Sequence, residues 1–181
     1  MEKNLKPILD RVWRGHCWIK TDDGPRRIDA ELDDHRVQLH LDGKRAFGVC
    51  PIAPGSSTTR LALFDLDSHR GEVPWEKMLD TAREIIAAAK AYGLHAVPFR
   101  SSGGAGVHLF FMWNEPQDAY SVRQLMKQIL DDCLLVPGTA GVAQNEIEIF
   151  PKQSSVPLDG FGSMFVLPFA GKSVYLPELE L

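Results

Sequence analysis

From residue 61 to residue 150 the apolar pattern changes period in the order strand, helix, strand, strand, helix, strand, and few folds accept that order. The run 61-LALFDLD-67 reads as a strand. Pro74 opens a helix in which Trp75, Met78, Leu79, Ala82, Ile85, Ile86 and Ala89 keep helical spacing, and Gly93 closes it. The segments 94-LHAVPFR-100 and 107-VHLFFMW-113 are strands joined by the Gly-rich turn 101-SSGGAG-106, which predicts a hairpin. Asp118 can cap a second helix with Val122, Leu125, Met126, Ile129 and Cys133 on its inner face, and 145-NEIEIF-150 alternates as a last strand. This is the split βαβ order, in which the first and third strands are central neighbours and the fourth lies beside the first. The helices are expected to cover one sheet face and leave the other open for function.

The first 60 residues predict a smaller β-rich lobe. Alternating pieces at 16-HCWIK-20, 35-HRVQLHL-41 and 46-AFGVCPI-52 are separated by turn-formers such as Asp22-Asp23-Gly24-Pro25 and Asp42-Gly43. The expected fold class is α+β: a ferredoxin/RRM-like sheet over residues 60–181 with a lobe of residues 1–59 packed on it. A further segment, 163-SMFVLPFA-170, follows the last strand. No apolar run approaches the roughly 20 residues that span a bilayer, and the N-terminus carries no apolar signal segment. Three widely spaced cysteines, Cys17, Cys50 and Cys133, argue against a disulfide framework and a structural zinc site. They suit a reducing cytoplasm. A net charge of −4 does not advertise a nucleic-acid binder. Carboxylates held for metal binding lower it without repelling a substrate that arrives with magnesium. Local basic spots at Arg11 and Arg14, Arg26 and Arg27, and Lys44 and Arg45 read mostly as solvated surface.

Side chains two apart in a strand share a face. Asp65 and Asp67 therefore point with Leu61 and Leu63, while Ala62, Phe64 and Leu66 point the other way. The third strand adds His108, and the fourth adds Glu146 and Glu148. Two or three carboxylates converging on open space suit Mg²⁺ or Mn²⁺, hard ions that take a few protein oxygens and leave the rest of the octahedron to water and phosphate. A pair of such ions about 4 Å apart supports phosphoryl transfer. In 102-SGGAGVH-108, Gly104 and Gly106 let the backbone approach an anion, and Ser102 and His108 can donate to it. Arg100 and Lys152 would complete a basic wall. Each part alone has a plainer reading: a surface acid pair, a hairpin turn, a strand histidine, the wet face of an edge strand. The combination is harder to explain away.

The three-part pattern 63-LFDLD-67, 102-SGGAGVH-108 and 146-EIEIF-150 resembles the archaeo-eukaryotic primase superfamily, the primase-polymerases of phages and mobile elements. Flanking stretches 39-LHLDGKRAFGVCPI-52, 148-EIFPKQ-153 and 160-GFGSMFVLPFAGK-172 extend the likeness to about residues 38–172. The resemblance implies template-directed nucleotidyl transfer by two-metal-ion catalysis. Asp65, Asp67 and Glu148 would ligate Mg²⁺ or Mn²⁺, with Glu146 as the alternative third acid. It implies His108 on the phosphates of the incoming NTP or dNTP, helped by Ser102, Arg100 and Lys152. Where some relatives carry a basic residue before Leu-Pro, this chain has Val166, so that triphosphate contact is either missing or supplied by Lys172. Single-stranded DNA template and a fused or separate helicase or primer-binding module are the expected partners, and the chain itself reads as a catalytic domain of a longer polypeptide.

Two other readings stand beside this one. Nucleotide cyclases also hold two metals with strand-borne aspartates on such a sheet, though they do not require His108 after this turn. A binding-only RRM-like module would stack bases on central-strand aromatics, for which Phe110 is the candidate on the His108 face. Aspartates on the central strand disfavour that module in the absence of metal.

Overall fold

The computed structural model describes residues 3–69 and 71–180. Two sheets face each other. The larger contains β4 (Thr58–Leu66), β5 (Val97–Arg100), β6 (Val107–Asp118), β7 (Val136–Pro137) and β8 (Glu146–Phe150), ordered β5-β6-β4-β8-β7. Helix α3 (Trp75–Ala91) connects β4 to β5, and α4 (Ala119–Asp132) follows β6. The first four strands of that order are antiparallel neighbours, as the split βαβ pattern predicts. Asp118 caps α4 through its carboxylate, which accepts from the Ser121 amide at 2.8 Å. Gly93, at φ +75°, ends the α3 region in the left-handed conformation.

Alternation along β4 divides the core. Ala62, Phe64 and Leu66 pack under α3 and α4 with Met78, Ile85, Met126 and Ile129. Leu61 and Leu63 face the opposite way with Phe110 and Phe150. That second face is not open, contrary to the sequence expectation. The smaller sheet lies over it, formed by β1 (Cys17–Thr21), β2 (Gly24–Ile28), β3 (Phe47–Val49) and β9 (Phe165–Val166) in the order β2-β1-β3-β9. Cys17, Phe47, Val49, Phe165 and Leu167 supply its half of the shared core, together with Leu5 and with Ile8 from α1 (Lys6–Leu9). A sheet with Leu61, Leu63, Phe110 and Phe150 on one face has too much apolar surface to leave in water. At the C-terminal end of β4, where the pattern turns from Leu to Asp, Asp65 stays half-buried on a cavity.

The segment 35–41 is also a correction. It is not a strand but α2 (Asp34–Leu41). Asp33 accepts from the Arg36 amide at 2.8 Å and caps the helix, and His40 is fully buried. Val37, Leu39 and Leu41 satisfy a period of two, but Val37 and Leu41 are also four apart, and the cap decides between the patterns. Pro25 sits in β2, an edge strand that tolerates it.

Candidate active site

The geometry begins with the ladder. Asp65 is the Cα partner of His108 on β6 and of Glu148 on β8, so three strands deliver three polar side chains to one level of the sheet. Asp67 follows one residue past the strand end. All four line a cavity of about 390 Å³ together with Lys20, His69, Ser101, Ser102, Gly103, Ala105 and Lys152. Its far wall is Met164, Phe165 and Val166 at the edge of the smaller sheet.

Each carboxylate has a basic partner. His108 Nε2 stands 3.3 Å from Asp65 Oδ1, His69 Nδ1 stands 3.0 Å from Asp67 Oδ2, and Lys152 Nζ stands 2.6 Å from Glu148 Oε1. Burial pushes the Asp65 carboxyl up, but His108, by charge and hydrogen bond, and then Lys152 and Lys20 outweigh it. The group is held below the ordinary carboxyl range. His69 Nε2 contacts the Thr139 carbonyl oxygen at 2.6 Å; that bond, and then the charge of Asp67, raises the imidazole. His108 Nδ1 is buried with no protein partner, an uncommon state for a ring nitrogen.

Glu146 and Glu148 occupy different places. Glu148 lines the main cavity, whereas Glu146 faces a smaller one of about 70 Å³ beside Gly138, Thr139 and Gly141. Its carboxylate accepts from the Ala140 amide at 2.8 Å and so anchors the 138–141 loop. Asp65, Asp67, His69 and Glu148 form the partition between the two cavities.

The turn 101–106 is organised by its own hydrogen bonds. The Gly104 amide donates to Ser101 O at 3.0 Å, and the Gly106 amide donates to Ser101 Oγ at 3.0 Å. Neither glycine lines the main cavity. Gly104 adopts φ +87°, and a Cβ on Gly106 would sit 2.3 Å from the Leu66 carbonyl oxygen, so the turn fits under the end of β4 only with glycine there. Ser101, Ser102, Gly103 and Ala105 form the exposed wall. Ser102 Oγ receives Lys20 Nζ at 2.9 Å. Arg100 lies outside the wall: its Nε donates to Gly104 O at 2.7 Å, and its guanidinium stacks 4.2 Å from the Trp75 ring centre. Lys172 also lies outside, its stem against Gly104 and its amide donating to Ser102 O at 3.0 Å. Both residues shape the turn. Sequence reasoning missed Lys20, Ser101, Ala105 and His69 as wall residues; only His69, two residues past Asp67, carried a local signal.

Among the described residues no group of three His, Cys, Asp or Glu side chains closes into a metal site by itself. The donor set is nonetheless three carboxylates on one open cavity. An incomplete all-oxygen set fits a Mg²⁺-type ion, which keeps water and phosphate as ligands. No described helix is long and apolar enough to cross a membrane.

A family model described as the archaeo-eukaryotic primase domain of the TOTE conflict system matches residues 4–176. Among curated proteins none matches. Among solved structures, the polymerase domain from Mycobacterium tuberculosis Ligase D in complex with DNA is similar in fold. The identity is 19%, the TM-score 0.52, and 87% of this chain and 58% of that chain are covered. The chain thus spans 58% of that structure's length. The family match reaches back through α1, β1 and β2, beyond the stretch in which the motifs stand. It supports nucleotidyl transfer in general, and with it over most of the sequence, this chain belongs to the archaeo-eukaryotic primase domains of TOTE conflict systems.

Proposed function

We propose that this domain carries out template-directed nucleotidyl transfer on DNA, as a primase, a polymerase or both. A primer 3′-hydroxyl, or that of an initiating nucleotide, attacks the α-phosphorus of an incoming nucleotide. The O3′–Pα bond forms as the bond from Pα to the bridging oxygen breaks, the O3′ proton passes to water, and pyrophosphate leaves. The observation that carries this reading is the register of Asp65 between His108 and Glu148, on a cavity whose other wall is a Ser/Gly turn. That the neighbouring structure holds DNA supports DNA as template.

Asp65, Asp67 and Glu148 would hold Mg²⁺ or Mn²⁺, which when bound supplies Lewis-acid stabilisation of charge on the attacking and leaving oxygens. The remaining chemistry is positioning. Ser102 and the Ser101–Ala105 wall receive the phosphate tail, with Lys20 behind them as a fixed positive charge. Lys152, now on Glu148, has its Nζ over the Phe150 ring, 5.0 Å from the ring centre, and can turn to a phosphate once Glu148 is otherwise engaged. His108, whose Nε2 now rests on Asp65, can give that N–H to a phosphate oxygen once Asp65 is otherwise engaged. The fully buried Phe110 cannot stack a base, which disfavours the binding-only module.

The test is a single-stranded DNA template with labelled nucleotides and Mg²⁺ or Mn²⁺, with and without an annealed primer. Asp65→Ala, Asp67→Ala and Glu148→Ala should each lower template-dependent product at least ~100-fold. Glu146→Ala should retain activity and lose about 1 kcal/mol of stability with its loop anchor. Activity lost in Glu146→Ala but kept in Glu148→Ala would reassign the third acid. A cyclised nucleotide formed without template would replace the polymerase reading by the cyclase one.

A further inference from the structure

We propose that the surface around Trp13, where the chain enters the smaller sheet beside the start of β4, is a landing platform for single-stranded nucleic acid leading into the active cavity. The inference rests on the polymerase reading only for what the strand is used for. Trp13 is 42% exposed although it is an indole, and its ring lies over Gly15, where a Cβ would come within 2.1 Å of it. Its place is held from below by His16, buried, with ring centres 4.7 Å apart. The same imidazole meets Phe161 at 5.1 Å and Trp18 at 4.8 Å. Burial pushes His16 down, so this hub is an uncharged ring at neutral pH. Phe161 carries the Arg27 guanidinium 3.4 Å from its ring centre, which makes the guanidinium plane a second stacking surface.

Charge beside Trp13 agrees. A cavity of about 140 Å³ there is lined by Trp13, Arg11, Arg60, Ser56, Thr58 and neighbours, with no carboxylate in its wall. Arg11 donates to the carbonyls of Trp113 and Pro7 and to Asn114 Oδ1, and Arg60 to the Asp10 carbonyl. Arg60 Nε is buried without a partner. The nearby Asp10 carboxylate is taken by Lys6 at 2.6 Å. The two guanidiniums thus hydrogen-bond only neutral oxygens; their charge also acts on Asp10, whose hydrogen-bond partner is Lys6, and among the described residues no carboxylate is bonded to either of them. Ten of the 20 Lys and Arg, but only nine of the 24 acids, lie in residues 1–59, so this lobe is slightly cationic in a net-acidic chain, and Arg60 of β4 adds to it. An exposed indole beside a carboxylate-free basic pocket is the pairing that unpaired bases and their phosphates recognise.

The platform is continuous with the active cavity. From His16 to Lys20 the strand rises about 13 Å, and Lys20 reaches Ser102 in the cavity wall. Met164, three residues after Phe161, packs with Trp18 and lines the same cavity.

The test is fluorescence anisotropy with a short labelled single-stranded oligodeoxynucleotide in EDTA, without nucleotide, so that binding is read apart from catalysis. Trp13→Ala should weaken binding roughly tenfold, and Trp13→Phe should restore most of it. Arg60→Gln should weaken binding and reduce the salt slope by about one. Tyr92→Ala, a control of equal 42% exposure on the helical side, should bind as wild type. In primer extension Trp13→Ala should raise the KM for template and leave the nucleotide KM unchanged. Wild-type affinity in folded Trp13→Ala and Arg60→Gln, or equal competition by duplex of the same sequence, overturns the proposal while leaving the polymerase reading intact. Trp13-dependent binding without template-directed product sustains the platform and defeats that reading.

Discussion

At the scale of single residues, the titratable groups divide into those that face the cavity and those that hold the lobes together. His40 is the clearest of the second kind. Its Nδ1 accepts from the Phe47 amide at 2.9 Å, and its Nε2 contacts the Pro168 carbonyl oxygen at 2.7 Å. Those two contacts require the neutral ring with its proton on Nε2. Burial lowers this imidazole below its ordinary value of 6.5, against the hydrogen bond to Pro168, which raises it. The unfolded chain therefore takes up a proton near pH 6.5 and the folded one only below that. Stability from His40 is fully present above pH 6.5 and falls as pH drops through it. His16 acts in the same sense, and His69, raised and half-exposed, in the opposite one. Urea midpoints measured from pH 7.5 to 5.5 should fall for wild type. In His40→Gln they should start lower and depend less steeply on pH. A variant with the full wild-type slope would show that His40 does not titrate on unfolding.

At the scale of elements, the 101–106 turn and α2 carry opposite lessons. The turn was legible as Gly-rich, but not the local reason for its glycines: Gly106 allows a close approach to Leu66, Gly104 takes a left-handed φ, and both amides bond within the turn. Gly106→Ala should cost about 1–3 kcal/mol. It should also raise the nucleotide KM by moving Ser102 and Gly103, while oligonucleotide affinity in EDTA stays unchanged. An unaltered nucleotide KM in the folded variant would remove the turn from the substrate site. The helix α2 was misread because Val37, Leu39 and Leu41 alternate. Its cap at Asp33 was the available signal, and an Asp three residues before Arg36 carries no periodicity of its own. By contrast α3 and α4 were legible because each repeats its apolar spacing over several turns.

At the scale of the molecule, the candidate cavity depends on two sheets meeting face to face and failing to meet at one end. Phe110 sits in that seam, fully buried, with ring centres 5.8 Å from Phe99 and 5.5 Å from Phe165. It is also two residues along β6 from His108. Phe110→Ala should lower stability by about 3–5 kcal/mol. It should also reduce activity at temperatures where the variant is still folded, because the lobe that carries Lys20 and Met164 settles against the sheet through this contact. Calorimetry and primer extension on the same preparation would check both; full activity with the expected loss of stability would show that the spacing of the sheets does not tune the site.

The sequence by itself determined what depends on short-range geometry. Alternation along β4 put Asp65 with Leu63 and Asp67 beyond it, and apolar spacing marked the order of strands and helices from 61 to 150. With the pairing order that topology allows, it also placed His108 and the Glu146/Glu148 pair on the strands flanking Asp65. Only the tertiary structure decided which glutamate faces the cavity, that Arg100 and Lys172 shape the turn, and that Lys20 completes the wall. Glu146 and Glu148 share a strand face, so their difference arises from the 138–141 loop folding over one of them. Lys20 meets Ser102 across 82 residues of chain. No local pattern encodes such a contact; it follows from burying the apolar face of one sheet against the other.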